Sequence, residues 1–329
     1  MTMRYQIAAV TCAVLGVALL GTAGCASTAG RGATGPDALA GVPLSAGFAF
    51  DRQSALVSRV KTVPQGLLRQ LQAADGRADY ASYTPTPEQM KVIAQCLGEL
   101  PTLHRQVLGD RLCGFYFVEH FARGARASFD VEPGGLRRTS YIVCNPQVLD
   151  ANVTDWLGYQ EETCFSRGDP WKVTTIDCGT NTPAFLYVLL RETTRVLIHQ
   201  GVIAGLPFSK AVWHTPVQPF SETDFAARRN VTFWGDGGGP LLPREGCDAV
   251  YRELARMPFA SLYGSQSEDD DLAEFLTYYH LTQRMQLPYR ISVRNDFMKK
   301  TFFEYEPMQS PAAIKRFPDM DVFYRESRL

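Results

Sequence analysis

Residues 189–200, "LLRETTRVLIHQ", bring three charged side chains together in one short segment: Arg191, Glu192 and Arg195. Residues four apart lie on the same face of a helix, so a helix here would place two guanidinium groups side by side. A guanidinium has no lone pair to give a metal ion, but it pairs well with carboxylates. The segment therefore predicts that both arginines pair with acidic side chains.

A second segment, residues 259–282, reads "FASLYGSQSEDDDLAEFLTYYHLT" and has an acidic start followed by Glu274. In this order, the two segments resemble the zinc-binding helix and the following helix of zincin-type metallopeptidases of the glutamate-ligand kind. "CGFYFVEHF" and "YIVCNPQVLDANVTDWLGYQEETCF" resemble the region before the zinc helix in secreted bacterial zincin-like proteins. The resemblance runs from about residue 113 to 291.

The resemblance implies a role for six positions. In the HExxH motif of that family, two histidines bind zinc and the glutamate acts as general base to the zinc-bound water. A later helix supplies the third ligand, and a nearby tyrosine often steadies the oxyanion. The matching positions are Arg191 and Arg195 for the two histidines, Glu192 for the general base, Glu274 for the third ligand, and Tyr263 or Tyr278 for the tyrosine.

This chain departs from the motif at both histidines, and two arginines remove the usual zinc site. Zinc with two neutral histidines and two glutamates sums to zero charge, as do two arginines with Glu192 and Glu274. We therefore expect a buried ion-pair cluster in place of the metal, with no zinc or other cofactor. In an alternative, Glu192, His199 and Glu274 would form an unusual metal site, because His199 falls on roughly the same helix face as Arg191 and Arg195.

The first residues have the pattern of an export signal. An apolar stretch, residues 7–20, is followed by "GTAGCAS", which resembles a bacterial lipoprotein signal ending before Cys25. We expect a signal peptide at 1–24, lipidation (palmitate included) of Cys25, and a flexible tether at 25–47. An ordinary secretory signal is the alternative. The expected location is the bacterial cell envelope, anchored in the outer membrane and facing the periplasm if the host has one.

Residues 48–329 have the composition of a globular domain, and that length can bury a sizeable core. The net charge is −1 and the basic residues do not cluster, which argues against a nucleic-acid partner. An even number of cysteines in an exported domain predicts disulfides, whose pairing stays open. The candidates are Cys96, Cys113, Cys144, Cys164, Cys178 and Cys247.

Start and stop signals predict the two helices that would position the site. The motif helix should span about 183–200, with Thr182 as N-cap and Pro183 in its first turn. The second should span about 268–282 after Ser267, and its run of aspartates, 269–271, is typical of a charged helix start. We expect an α+β, zincin-like fold that is mostly helical, stabilised by disulfides, with a small β-sheet packed on the motif helix.

Three functions are compatible with these features. In the first, an envelope lipoprotein with a degenerate, metal-free metallopeptidase-like domain binds a peptide or another envelope protein, for example by strand addition. In the second, it is an active metal-dependent hydrolase with a site around Glu192, His199 and Glu274. In the third, it is a purely structural envelope lipoprotein. The fold alone does not decide among them, because activity depends on the site.

Overall fold

The computed structural model describes residues 51–131, 138–203, 208, 210, 212–220, 222–233 and 239–325. The expected signal peptide, the lipidation position Cys25 and the tether at 25–47 all lie outside these residues. The described chain is α+β, as the sequence predicts.

Within the described residues, the strands form three sheets. The strands are β1 (Val60–Lys61), β2 (Ala81–Tyr83), β3 (Leu112–Glu119), β4 (Ala125–Val131), β5 (Arg138–Cys144), β6 (Lys172–Asp177), β7 (Trp213–Thr215), β8 (Gln218–Pro219), β9 (Arg290–Asn295) and β10 (Lys300–Tyr305). The largest sheet has the order β1-β3-β5-β4, with β2 also paired to β3. Strand β3 is parallel to β1 and β5, whereas the edge strand β4 is antiparallel to β5. Strands β10-β9-β6 form a second, antiparallel sheet, and β7 pairs with β8.

The helices surround these sheets. They are α1 (Gln65–Asp75), α2 (Pro87–Glu99), α3 (Thr102–Arg111), α4 (Val153–Glu162), α5 (Ala184–His199), α6 (Cys247–Leu254), α7 (Glu268–Tyr279), α8 (Pro311–Ile314) and α9 (Phe317–Met320). Short 3-10 segments lie at Leu56–Arg59, Pro146–Leu149, Glu222–Asn230, Arg244–Gly246, Tyr263–Ser265, Pro307–Gln309 and Asp321–Tyr324, and a π-helical turn at His280–Arg284. None of the helices in the described ranges is long and apolar enough to cross a membrane.

Both site helices form where their signals predict, with small differences at the ends. Helix α5 begins at Ala184 rather than Pro183, because Pro183 is extended and forms a bridge with Asn152. It ends before Gly201, which has a positive φ of 69°. Helix α7 begins after Ser267, whose hydroxyl accepts a hydrogen bond from the backbone of Asp270. It continues as the π-helical turn, which covers the rest of the predicted span.

Helix α5 lies in the centre of the core. Most of its residues are buried, including all of the first eleven, Ala184 to Thr194. The helix packs on strand β4 and on helices α2, α3, α4 and α7. Strand β4 thus places the five-stranded sheet against the motif helix, as expected. Because α5 is buried, its charged groups must find partners inside the protein.

The cysteines differ from the expectation of a disulfide-stabilised fold. All six that lie in the described ranges are buried, and no disulfide joins any two of them. Cys113 packs in the smaller apolar cluster on one face of the large sheet, whereas Cys144 and the other four pack in the larger cluster. Because side chains alternate between the two faces of a sheet, the sheet separates Cys113 from the rest. Burial also raises the pKa values of Cys96 and Cys178 to about 12, so both remain thiols.

A buried acid links α4 to α6. Glu161 on α4 is 5% exposed and accepts a short hydrogen bond from the Tyr251 hydroxyl. Burial raises the pKa of Glu161 to about 8, although the Tyr251 hydrogen bond lowers it; the charges of Glu274 and Glu162 raise it further. The folded protein therefore keeps a proton that the unfolded chain has lost at neutral pH.

This shift predicts a fall in stability with rising pH. The Glu161 contribution is full below the ordinary glutamate pKa and is lost as the pH rises to about 8. Between pH 6 and 9 we expect a loss of about 2 kcal/mol in the free energy of unfolding, measured by urea denaturation. Glu161→Gln should flatten this dependence, whereas Glu306→Gln, at an exposed position, should leave it intact. Equal slopes in both variants would contradict the assignment.

Candidate functional site

The structure brings the motif residues of α5 against the start and middle of α7. Arg191, Glu192 and Glu274 are all buried, at 3%, 2% and 1% exposure. The contacts are made possible by the apolar residues of both helices, which pack them together throughout their lengths. Two segments distant in the sequence thus form one buried arginine–carboxylate cluster.

Arg191 is the central cation of this cluster. Its Nε donates a hydrogen bond to Glu192 Oε1 at 3.0 Å, and its Nη1 lies 3.8 Å from Glu274 Oε1. Its guanidinium also lies over the Tyr263 ring, 4.7 Å from the centroid. A cation this deeply buried requires such compensation from carboxylates and aromatic faces.

Glu192 connects the motif helix to the edge of the large sheet. Its Oε2 accepts a hydrogen bond of 2.8 Å from the backbone N–H of Ala127 on β4. Its Oε1 accepts the bond from Arg191 and lies 3.8 Å from Arg195 Nε. Both carboxylate oxygens are therefore engaged, and the residue at the general-base position acts here as a structural acceptor.

Glu274 receives two hydroxyl donors in addition to Arg191. Tyr187 donates to Oε1 at 2.6 Å and Ser261 donates to Oε2 at 2.9 Å. Burial nevertheless raises the pKa of Glu274 above its ordinary value, although Arg191 and the two hydroxyls lower it. The position implied for a third metal ligand is filled by contacts with the protein itself.

Arg195 pairs mainly with Asp270, which is not one of its predicted partners. Its Nη2 forms a close ion pair with Asp270 and lies 3.3 Å from the Tyr263 hydroxyl. We expected its partners to be Glu192 and Glu274, with Asp270 part of a charged helix start. The sequence could have identified Asp270 as a partner, because it lies four residues before Glu274 and so on the same face of α7.

The next aspartate forms a second buried ion pair. Asp271 is fully buried and accepts two hydrogen bonds from Arg316, at 3.2 Å and 2.5 Å. The Trp213 indole donates a third at 2.9 Å. The aspartate run is therefore more than a helix-capping charge, because it holds distant segments against α7.

The cluster carries a different charge from the one expected. Two guanidinium groups, Arg191 and Arg195, face three carboxyls, Glu192, Asp270 and Glu274, which gives a formal charge of −1 when all are ionised. Burial raises the pKa of Glu274, which favours its protonated form. A proton on Glu274 would bring the cluster to neutrality.

Of the two tyrosine candidates, the structure places Tyr263 at the site. Its ring lies under both arginines, 4.7 Å from Arg191 and 5.8 Å from Arg195. The Tyr278 ring instead stacks on Tyr289, with centroids 3.8 Å apart and an interplanar angle of 13°. The sequence motif could not separate the two.

The alternative metal site is not assembled. His199 packs edge-on against Phe129, with centroids 5.1 Å apart, in the last turn of α5. Within the described ranges, no group of three or more His, Cys, Asp or Glu side chains is placed to hold a metal ion. Glu192, His199 and Glu274 therefore do not form a three-ligand site in this arrangement.

The cluster also holds two buried donors without a hydrogen bond. Arg191 Nη1 and Arg195 Nε have no hydrogen-bond partner among the described residues. Each lies 3.8 Å from a carboxylate oxygen, so the compensation at these atoms is electrostatic. The arrangement can hold two helices and a strand together, and it offers no free base or nucleophile.

Comparison of the chain with known protein families, with curated proteins and with solved structures finds no match.

Removing the central cation should destabilise the whole domain. Arg191→Ala strands Glu192 and Glu274 without their shared cation, and losing one partner of a buried pair costs about 3–5 kcal/mol. Urea unfolding followed by circular dichroism measures this loss. The matched control is Arg290→Ala, which removes an exposed pair with Glu306 and should leave the unfolding midpoint almost unchanged. An unchanged unfolding midpoint for Arg191→Ala would rule out the structural role of the cluster.

Proposed function

We propose that this protein is a bacterial envelope lipoprotein whose domain is a degenerate, zinc-metallopeptidase-like unit that binds a peptide or protein partner without cleaving it. The observation that carries the proposal is the buried cluster of Arg191, Glu192, Arg195 and Glu274 on two adjoining helices. These are the positions at which the zincin resemblance implies a zinc ion, its ligands and its base. Arginine and carboxylate groups fill the space with a charge-compensated contact instead.

The hydrogen bonds of Glu192, at the general-base position, support a non-catalytic function. A general base needs an oxygen within reach of the proton that it removes. Glu192 gives one oxygen to Arg191 and the other to the Ala127 backbone, in a position that is 2% exposed. Water activation at this carboxylate would compete with these contacts in a buried position.

Strand β4 supports binding of an extended peptide. It is the edge of the large sheet, and within the described ranges no strand pairs with its outer side. It packs on α5 and is fixed there by the hydrogen bond from Ala127 to Glu192. Glu192 takes the Ala127 N–H, and a peptide added along this edge would gain backbone hydrogen bonds at the positions that Glu192 leaves open. The cluster would thus serve to hold the edge strand in place for binding.

The amino-terminal pattern supplies the proposed location. Lipidation of Cys25 would anchor the domain to the envelope, in the outer membrane facing the periplasm where the host has one. The membrane and a peptide or envelope protein are then the partners of the molecule.

The proposal about the cluster is tested by measuring zinc in the unaltered chain and in a double histidine variant. The chain from Ala26 onward, which retains every described residue, is dialysed against zinc, desalted and counted for metal. We expect almost no zinc in this chain. Arg191→His with Arg195→His should take up about one zinc per chain and melt at a higher temperature when zinc is present. Adding Glu274→Gln to this double variant should abolish both effects.

Two results would contradict this picture. About one zinc per unaltered chain, lost on Glu274→Ala, would favour the active hydrolase and call for a peptidase assay. A well-folded double histidine variant that ignores zinc would show that Glu274 does not lie where a third ligand is needed.

Peptide binding is tested by selection and hydrogen exchange. A displayed library of random peptides is selected on the immobilised chain, and the recovered peptides are added at saturation. We expect slower amide exchange in β4 (residues 125–131), because strand addition supplies backbone partners. Strand β10 (residues 300–305), also at a sheet edge, is the internal control and should not change. Protection elsewhere, or failure to select any peptide, would favour the purely structural lipoprotein.

A further inference from the structure

The turn between β9 and β10 exposes an unusual group of large apolar side chains. Phe297 is 73% exposed, more than any other large hydrophobic residue in the described chain, and its neighbour Met298 is 56% exposed. Trp171, just before β6, is 52% exposed and lies beside them, with its ring centroid 5.7 Å from that of Phe297. We define the hairpin tip as Trp171, Phe297, Met298, Lys299 and Lys300.

The hairpin tip is held in a defined conformation. Asn295 is buried; its side chain donates to Asp169 at 3.3 Å and accepts from the Met298 N–H at 2.8 Å. The Asp296 N–H donates to the Trp171 carbonyl at 2.9 Å, which ties the two apolar segments together. The side chains are therefore presented by an ordered scaffold, which reduces the entropy lost on binding.

The charge around the hairpin tip is positive. Within the described residues, neither Lys299 nor Lys300 forms an ion pair. The nearby Asp296 is neutralised by Arg294 at 2.8 Å, and Asp169 is engaged by Asn295 and by the Trp171 backbone. Lys300 also lies over the Phe302 ring, 5.5 Å from the centroid, and neither lysine is neutralised by a carboxylate among the described residues.

The opposite end of the same hairpin has a different character. There Arg290 pairs with Glu306 at 2.8 Å and approaches Glu304 at 3.8 Å. Available positive charge is thus concentrated at the end that carries the exposed aromatic groups.

We propose that the hairpin tip binds the surface of an anionic lipid bilayer. The apolar rings of Trp171 and Phe297 suit the boundary between headgroups and acyl chains, where tryptophan is enriched in membrane proteins. Lys299 and Lys300 would lie against the lipid phosphates, as basic residues do beside anionic membranes.

This contact goes beyond the proposed function and does not depend on it. No residue of the arginine–carboxylate cluster belongs to the hairpin tip. A few interfacial side chains and two lysines give weak, reversible binding by themselves. A single acyl chain is likewise marginal, and stable attachment takes two signals. The hairpin tip would supply the second signal for a lipid-anchored chain and would also fix which side of the domain faces the membrane.

Vesicle flotation tests the proposal with the chain from Ala26 onward, which contains every described residue. The probes are vesicles of phosphatidylcholine alone and vesicles in which a third of the lipid is phosphatidylglycerol. We expect roughly tenfold more protein on the anionic vesicles at low salt, with the difference falling as salt is added. The Trp171 fluorescence should shift to the blue on binding.

Two variants and one control identify the contact. Phe297→Ser with Met298→Ser removes the apolar groups, and Lys299→Glu with Lys300→Glu reverses the charge; each should reduce binding to the level seen with neutral vesicles. Val217→Ser with Phe220→Ser removes equally exposed apolar groups near β7 and β8 and should bind like the unaltered chain. All variants are first shown to melt at the temperature of the unaltered chain.

The proposal is overturned if the unaltered chain does not prefer anionic vesicles, which would leave a protein surface as the better partner for the hairpin tip. It is also overturned if the control variant loses binding as much as the tip variants. Neither result bears on the zinc or peptide experiments, so the two proposals fail separately.

Discussion

The carboxylate of Glu192 is the contact on which the arrangement of the domain depends. One oxygen accepts a hydrogen bond from Arg191 and the other accepts one from the Ala127 backbone, so a single side chain joins the central helix to the edge of the large sheet. Arg191 in turn approaches Glu274 and so reaches α7. A buried carboxylate is costly unless it is paired and hydrogen-bonded. Helix α5, strand β4 and helix α7 are therefore held in one relative position by the requirement to satisfy this charge.

Helix α7 extends the same constraint to the rest of the chain. Three of its acids point to different partners: Asp270 to Arg195, Asp271 to Arg316 and Glu274 to Arg191. Arg316 also packs on Phe208 and Phe275, at 3.7 Å and 4.3 Å from the ring centroids. Because each acid needs its own cation, the helix cannot rotate or slide without stranding a buried charge. Such pairs restrict the fold to one arrangement even where their net contribution to stability is small.

The two proposed binding surfaces use the ordered domain in different ways. Strand β4 lies directly on the cluster and owes its position to Glu192. The hairpin tip lies at the second sheet, which is antiparallel, and owes its conformation to Asn295. The interior therefore supplies rigidity to both surfaces. In the two proposals, recognition is by backbone groups of strand β4 and by aromatic and basic side chains of the hairpin tip.

The sequence by itself determined the α+β class, the two site helices to within a few residues, and the presence of two arginines that cannot bind a metal, because caps, periodicity and side-chain chemistry are local properties. The resemblance of the two segments to zincin helices implied that Arg191, Glu192 and Glu274 meet, and the structure brings these three residues together. The tertiary structure decided the rest. The partner of Arg195 is Asp270, the site tyrosine is Tyr263, and Cys113 lies across a sheet from the other cysteines. These depend on how helices pack and which face of a strand is turned inward, and such long-range geometry is not contained in the spacing of residues along the chain.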